Sequence, residues 1–198
     1  MKKIIFLGAA GLALGLASLC FAGTSIRVAA TIGETHQINV VLNRVASQGA
    51  TPTLVSDLTG TGMDFGTLVK GADNNFRSPV YFFIDAPVVS NKTGWTITHT
   101  ATDFANSAGN NLNANTNVVF EKVDNLTNSE LALGNNYFTS YAAAKTKSAI
   151  TQAELANARL RIYYSLASGA GDAAGVSVIT AAQPTGNYVG TVTLTLSP

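Results

Sequence analysis

The 198-residue chain holds one cysteine, two histidines, one tryptophan and few charges, with Asp, Glu, Lys and Arg making up 12% of it. Cys20 falls in a segment expected to be cut away, so the remainder has no residue for thiol catalysis and none for a disulfide. His36 and His99 fall in separate expected strands, without H-x-x-x-H spacing or an acidic pair beside them. That argues against a zinc site, and both read as side chains on a surface face. Asp57, Asp64, Asp73, Asp85 and Asp103 lack the D-x-D-x-D-G spacing of a calcium loop and read as turn residues. There is no G-x-S-x-G elbow, and no acid and base stand at usable spacing. Neither an enzyme nor a cofactor or metal is therefore expected.

Lys2 and Lys3 precede a continuous apolar stretch, Ile4 to Leu19, which ends in Cys20-Phe21-Ala22. This is the pattern of a secretory signal, residues 1–22, cut between Ala22 and Gly23, and the stretch is too short to prefer a membrane span. Cleavage would remove two of the twelve basic residues, leaving ten against eleven acidic ones. A near-neutral chain of this kind carries no footprint for nucleic acid, and no stable membrane anchor is expected after cleavage. Residues 23–198 have the length of one ordinary domain, expected to be secreted through the periplasm to the cell surface or beyond.

What fills that length is alternation. Apolar side chains recur every second residue at Ile26, Val28, Ala30 and Ile32, at Ile38, Val40 and Leu42, in Met63–Val69, at Trp95 and Ile97, and at Leu160, Ile162, Tyr164 and Leu166. Pro79–Ile84 is nearly continuous and reads as a central strand, while Val118–Val123 and Val176–Ile179 read as two more. Asn106 to Asn117 is expected to be an exposed loop. The section Phe138–Asn157, rich in Ala, Lys and Glu, departs from the pattern, and Thr151-Gln152-Ala153-Glu154 has capping-box spacing. The expected fold is all-β, an antiparallel two-sheet sandwich or a barrel, with one or two short helices in that section.

The two ends of the mature chain are apolar strips with almost no charge. In the last strand Tyr188, Val192, Leu194 and Leu196 share one face, and no charged residue occurs from Tyr188 to Pro198. Uncharged edges of this kind invite pairing with a neighbouring strand. The N-terminal strip, Met63-Asp64-Phe65-Gly66 and the run from Pro184 to Leu194 resemble subunits of bacterial fimbriae of the colonisation-factor type and the related spore-coat-U secreted proteins. The resemblance implies an immunoglobulin-like sandwich that self-associates into a polymer by donor-strand exchange. It also implies help from a periplasmic chaperone and an outer-membrane usher, with Ile26, Val28, Ala30 and Ile32 (within residues 23–33) as the donor strip.

The expected function is thus a structural subunit of an extracellular fibre, fimbria or surface coat. A second reading is a monomeric secreted module that binds carbohydrate or another surface ligand. It would need exposed aromatics on one face, for which Trp95, Tyr137, Phe138 and Tyr141 are the candidates.

Overall fold

Strands form here where β-branched and aromatic residues alternate with Thr, Asn and Arg, because such side chains fit a pleated surface buried on one side. The computed structural model describes residues 34–47, 49–56, 62–134 and 137–198. The chain divides into two units, Met1–Glu34 and Thr35–Pro198, and all strands among the described residues lie in the second. The signal segment and the strip Ile26, Val28, Ala30 and Ile32 lie outside the described residues.

In chain order the strands are β1 (His36–Ile38), β2 (Val41–Val45), β3 (Thr53–Leu54), β4 (Val69–Lys70), β5 (Phe76–Arg77), β6 (Tyr81–Ala86) and β7 (Val88–Ser90). They continue as β8 (Thr96–Ala101), β9 (Thr116–Asp124), β10 (Glu130–Ala132), β11 (Phe138–Ser140), β12 (Thr146–Thr151), β13 (Ala158–Leu166) and β14 (Val192–Ser197). A single turn of helix, α1 (Tyr141–Ala144), joins β11 to β12. The larger sheet runs β10-β9-β13-β6-β2-β3, with β11 also on β9, and the smaller runs β12-β8-β14. Strands β1 and β7 form a separate pair, as do β4 and β5, and every pairing is antiparallel.

The two larger layers share one core. Leu42, Phe82, Ile84, Phe120, Ile162 and Tyr164 on the larger sheet are buried with Ile97 and Ile150 on the smaller, and Val192, Leu194 and Leu196 pack against them. The fold is therefore an all-β sandwich with a minimum of helix, as the alternation implies. Pro79–Ile84 is indeed central, since β6 lies between β13 and β2.

Several local expectations change. Met63–Val69 is not a strand: Asp64 Oδ1 accepts from Gly66 N at 2.8 Å, and Gly66 takes φ 69°, a local turn that competes with the ladder. Only Val69 and Lys70 pair, although Met63 and Phe65 still pack against the core. Val176–Ile179 forms one bridge, Ile179 to Phe76, rather than a strand. The Ala-rich section gives one helical turn, then strand β12, because Ile150 reaches the core opposite Ile97. The capping box does form: Thr151 N and Oγ1 donate to Glu154 Oε2 at 2.8 and 2.9 Å, and Glu154 N donates to Thr151 Oγ1 at 3.2 Å. It opens a run of turns, residues 152–157, instead of a helix.

β12 also carries a bulge. Lys147 faces His99 and Ile150 faces Ile97, so β12 spends one more residue than β8 between the two pairs. Ala149 takes φ 58° within it. The extra residue lets both Lys147 and Ile150 point to the same side.

Candidate functional site

The last strand begins at Val192, four residues after Tyr188. β14 pairs with β8 on one side, from Val192 opposite Ala101 to Ser197 opposite Thr96, and ends the smaller sheet. No strand among the described residues pairs with its other side. Val192, Leu194 and Leu196 are half-buried on the core side, while Thr193 and Thr195 are exposed. Tyr188 falls before the strand and packs with Leu112, Leu166 and Ile179 in a second, smaller cluster.

Ahead of β14, the segments 63–68 and 183–188 enclose, with Phe76, Phe104, Leu112, Leu166 and Ile179, a cleft of about 560 Å³. A narrower extension of about 210 Å³ shares Met63, Phe65, Phe104 and Tyr188 and continues along Tyr141, Tyr164 and Val192. Phe65 stands edge-on to Phe82 with centroids 5.2 Å apart and lies 6.0 Å from Phe104, so the turn at Met63–Gly66 straps the cleft with an aromatic ring. At the rim Gln183 Nε2 donates to Tyr188 Oη at 2.9 Å, and that hydroxyl donates to Pro184 O at 2.5 Å. The lining mixes apolar side chains such as Phe65, Leu68 and Ile179 with polar ones such as Asp64, Thr67, Gln183 and Asn187.

The glycines of this segment have spatial reasons. Gly186 takes φ 152°, and a Cβ there would lie 3.1 Å from Asn106 Nδ2. At Gly190 a Cβ would meet Asp103 O, Phe104 Cα and Tyr141 Oη, each at 3.2 Å. Two of these three are backbone atoms that cannot turn aside. Gly190→Ala is accordingly expected to cost about 1–3 kcal/mol through overpacking, read as a lower urea midpoint; an unchanged midpoint would show that the approach relaxes freely.

Of the four aromatics considered for a ligand face, the structure brings no exposed set together. Trp95 is 7% exposed and Tyr141 4%, both inside the core, whereas Tyr137 and Phe138 are exposed at 39% and 38%. The Tyr141 hydroxyl is turned inward, donating to Thr102 O at 3.0 Å.

The surface reading of the histidines also changes. His99 is fully buried in the middle strand of the smaller sheet, and His36 is half-buried with Nδ1 2.9 Å from Ser90 Oγ. The signal was present: His99 lies two and four residues beyond Ile97 and Trp95, on their side of the strand.

Asp85 is likewise no turn residue. It sits in β6 on the outer face of the larger sheet, opposite Arg161, and accepts from Arg161 Nε and Nη2 at 2.6 and 2.7 Å and from Arg159 Nε at 3.2 Å. Arg161 also lies 4.2 Å over the Phe83 ring and donates to Glu130, which accepts from Tyr163 Oη at 2.6 Å. Burial works against the Glu130 charge, but the Tyr163 and Arg161 hydrogen bonds hold its carboxyl below the ordinary value. Glu121 beside it is pushed up by burial and by the charge of Glu130. Among the described residues no group of three or more His, Cys, Asp or Glu side chains is placed to hold a metal. Compared with protein-family models, with curated proteins and with solved structures, the chain matches none.

Proposed function

We propose that this chain is a structural subunit of an extracellular fibre, fimbria or surface coat that assembles by strand addition. The observation that carries the reading is the uncharged edge strand β14, whose Val192 lines a narrow cleft with Phe65, Tyr141 and Tyr164. A neighbouring subunit's strip, with Ile26, Val28, Ala30 and Ile32 alternating, supplies the matching pattern: a ladder along β14 and side chains directed into the cleft. Each of Ile26, Val28 and Ile32 would contribute roughly 1.5–3 kcal/mol on burial. Fixing each backbone residue costs about 1–2 kcal/mol, so the strip gains order only when the ladder and the cleft act together. In this reading the chain is secreted, and a periplasmic chaperone covers the cleft until an outer-membrane usher delivers the subunit.

The test is electron microscopy of the purified mature chain at rising concentration, beside a variant lacking residues 23–33. Fibres are expected from the first and none from the second, with secretion of both unchanged. Identical fibres from the truncated chain would sink the proposal.

A further inference from the structure

Between the two sheets lies His99, a fully buried ionisable side chain with no counter-charge beside it among the described residues. His99 Nδ1 is 2.8 Å from Ala144 O, and a carbonyl only accepts, so Nδ1 carries the proton. Nε2 is then a bare acceptor and takes the hydrogen of Tyr164 Oη at 2.8 Å. One neutral tautomer thereby joins β8 of the smaller sheet to β13 of the larger. The Phe120 ring stands edge-on to the imidazole, with centroids 5.3 Å apart.

Every element packed around this link withholds negative charge. On β12 the residue opposite His99 is Lys147, whose Nζ lies 5.2 Å over the Phe120 ring, and on β14 it is Leu194. From β13 comes Tyr164, from β9 Phe120, and from α1 Ala144 and Tyr141. Burial raises both phenols above their ordinary value, so they stay protonated. The carboxylate nearest to Tyr141 in the chain of contacts, Asp103, is already held by Lys145 and Asn113.

A second proton, on Nε2, turns that atom from acceptor to donor. Tyr164 Oη would then have to turn its own hydrogen away, and among the described residues it makes no second hydrogen bond. Tyr164 also lines the cleft beside β14. We propose that the His99–Tyr164 link is an acid-sensitive latch, which protonation of Nε2 breaks so that the sheets loosen and the cleft opens to an incoming strand. Only the last step, entry of the strand, rests on the assembly reading above.

The sign follows from burial, which lowers the His99 pKa below its ordinary value near 6.5. The open state binds the extra proton more readily than the closed one. The latch is therefore at full strength above about pH 6.5 and weakens as pH falls below it, by up to about tenfold in the opening equilibrium per pH unit. Glu121, raised by burial, acts with the opposite sign over falling pH and cannot imitate this.

The chain has two histidines, so His36→Asn leaves His99 as the one imidazole. In that variant, urea unfolding from about pH 7.5 to 5 reads the latch, and uptake of a labelled synthetic peptide of residues 24–33 reads the cleft. The unfolding equilibrium constant and the uptake rate are both expected to rise toward tenfold per pH unit below about 6.5. A flat unfolding equilibrium overturns the latch, whatever the peptide does. Falling stability with uptake indifferent to pH overturns the opening of the cleft. If the peptide is refused at every pH while stability still falls, the assembly reading and strand entry fail and the latch between sheets stands. His99→Gln, whose amide can replace both hydrogen bonds, is expected to fold and to lose the pH dependence; its persistence there would also overturn the latch.

Discussion

Phe120→Ala is expected to lose about 3–5 kcal/mol of stability, a large part of what holds a domain of this size together. Phe120 is fully buried near the middle of β9, opposite Ile162, and its ring is the surface on which His99 and Lys147 both rest. Truncation would leave a void between the sheets and expose a buried imidazole and an ammonium to each other without the ring between them. Phe138→Ala supplies the contrast, because that side chain is 38% exposed on β11 and is expected to cost less than about 1 kcal/mol. Urea unfolding of the two variants side by side checks this, and equal losses would mean that the core is not where the burial places it.

Asp85→Ala should cost about 3 kcal/mol, in the lower part of the range for breaking a largely buried ion pair. The Asp85 and Arg161 side chains are 14% and 15% exposed, and Asp85 accepts hydrogen bonds from two guanidiniums. Its removal leaves Arg159 and Arg161 adjacent with one charge less between them, while Glu130 still holds one nitrogen of Arg161. Asp85→Asn, which keeps the shape and loses the charge, is expected to fall between the two. Because water reaches this pair poorly, the loss should change little between low and high salt. A loss under about 1 kcal/mol that vanishes in salt would mark the cluster as an ordinary surface network.

The parts of this fold that were legible in the sequence include the alternating run from Leu160 to Leu166 and the nearly continuous apolar run from Pro79 to Ile84. Leu160, Ile162, Tyr164 and Leu166 became the inner face of β13, and Tyr81 to Ile84 became the middle of the larger sheet. β12 was hidden because Ala, Lys and Glu favour helix in isolation, and the pairing with β8 that overrides them is a contact across the fold. The turn at Met63–Gly66 was hidden because one aspartate side chain can outbid a ladder, which a pattern of apolar residues does not register. The uncharged strand β14 was readable in the sequence, but the cleft ahead of it was not. Its walls come from Phe65, Phe104, Leu166 and Tyr188, residues brought together by packing alone.

The borders of the two sheets are unequal in a way that bears on geometry of growth. At the ends of the larger sheet β3 has two residues and β10 three, and on the smaller sheet β12 is interrupted by its bulge and carries Lys147. Short, kinked or cationic borders discourage lateral sticking. Under the assembly proposed above, such borders would favour addition in single file, giving unbranched threads rather than broad lateral arrays.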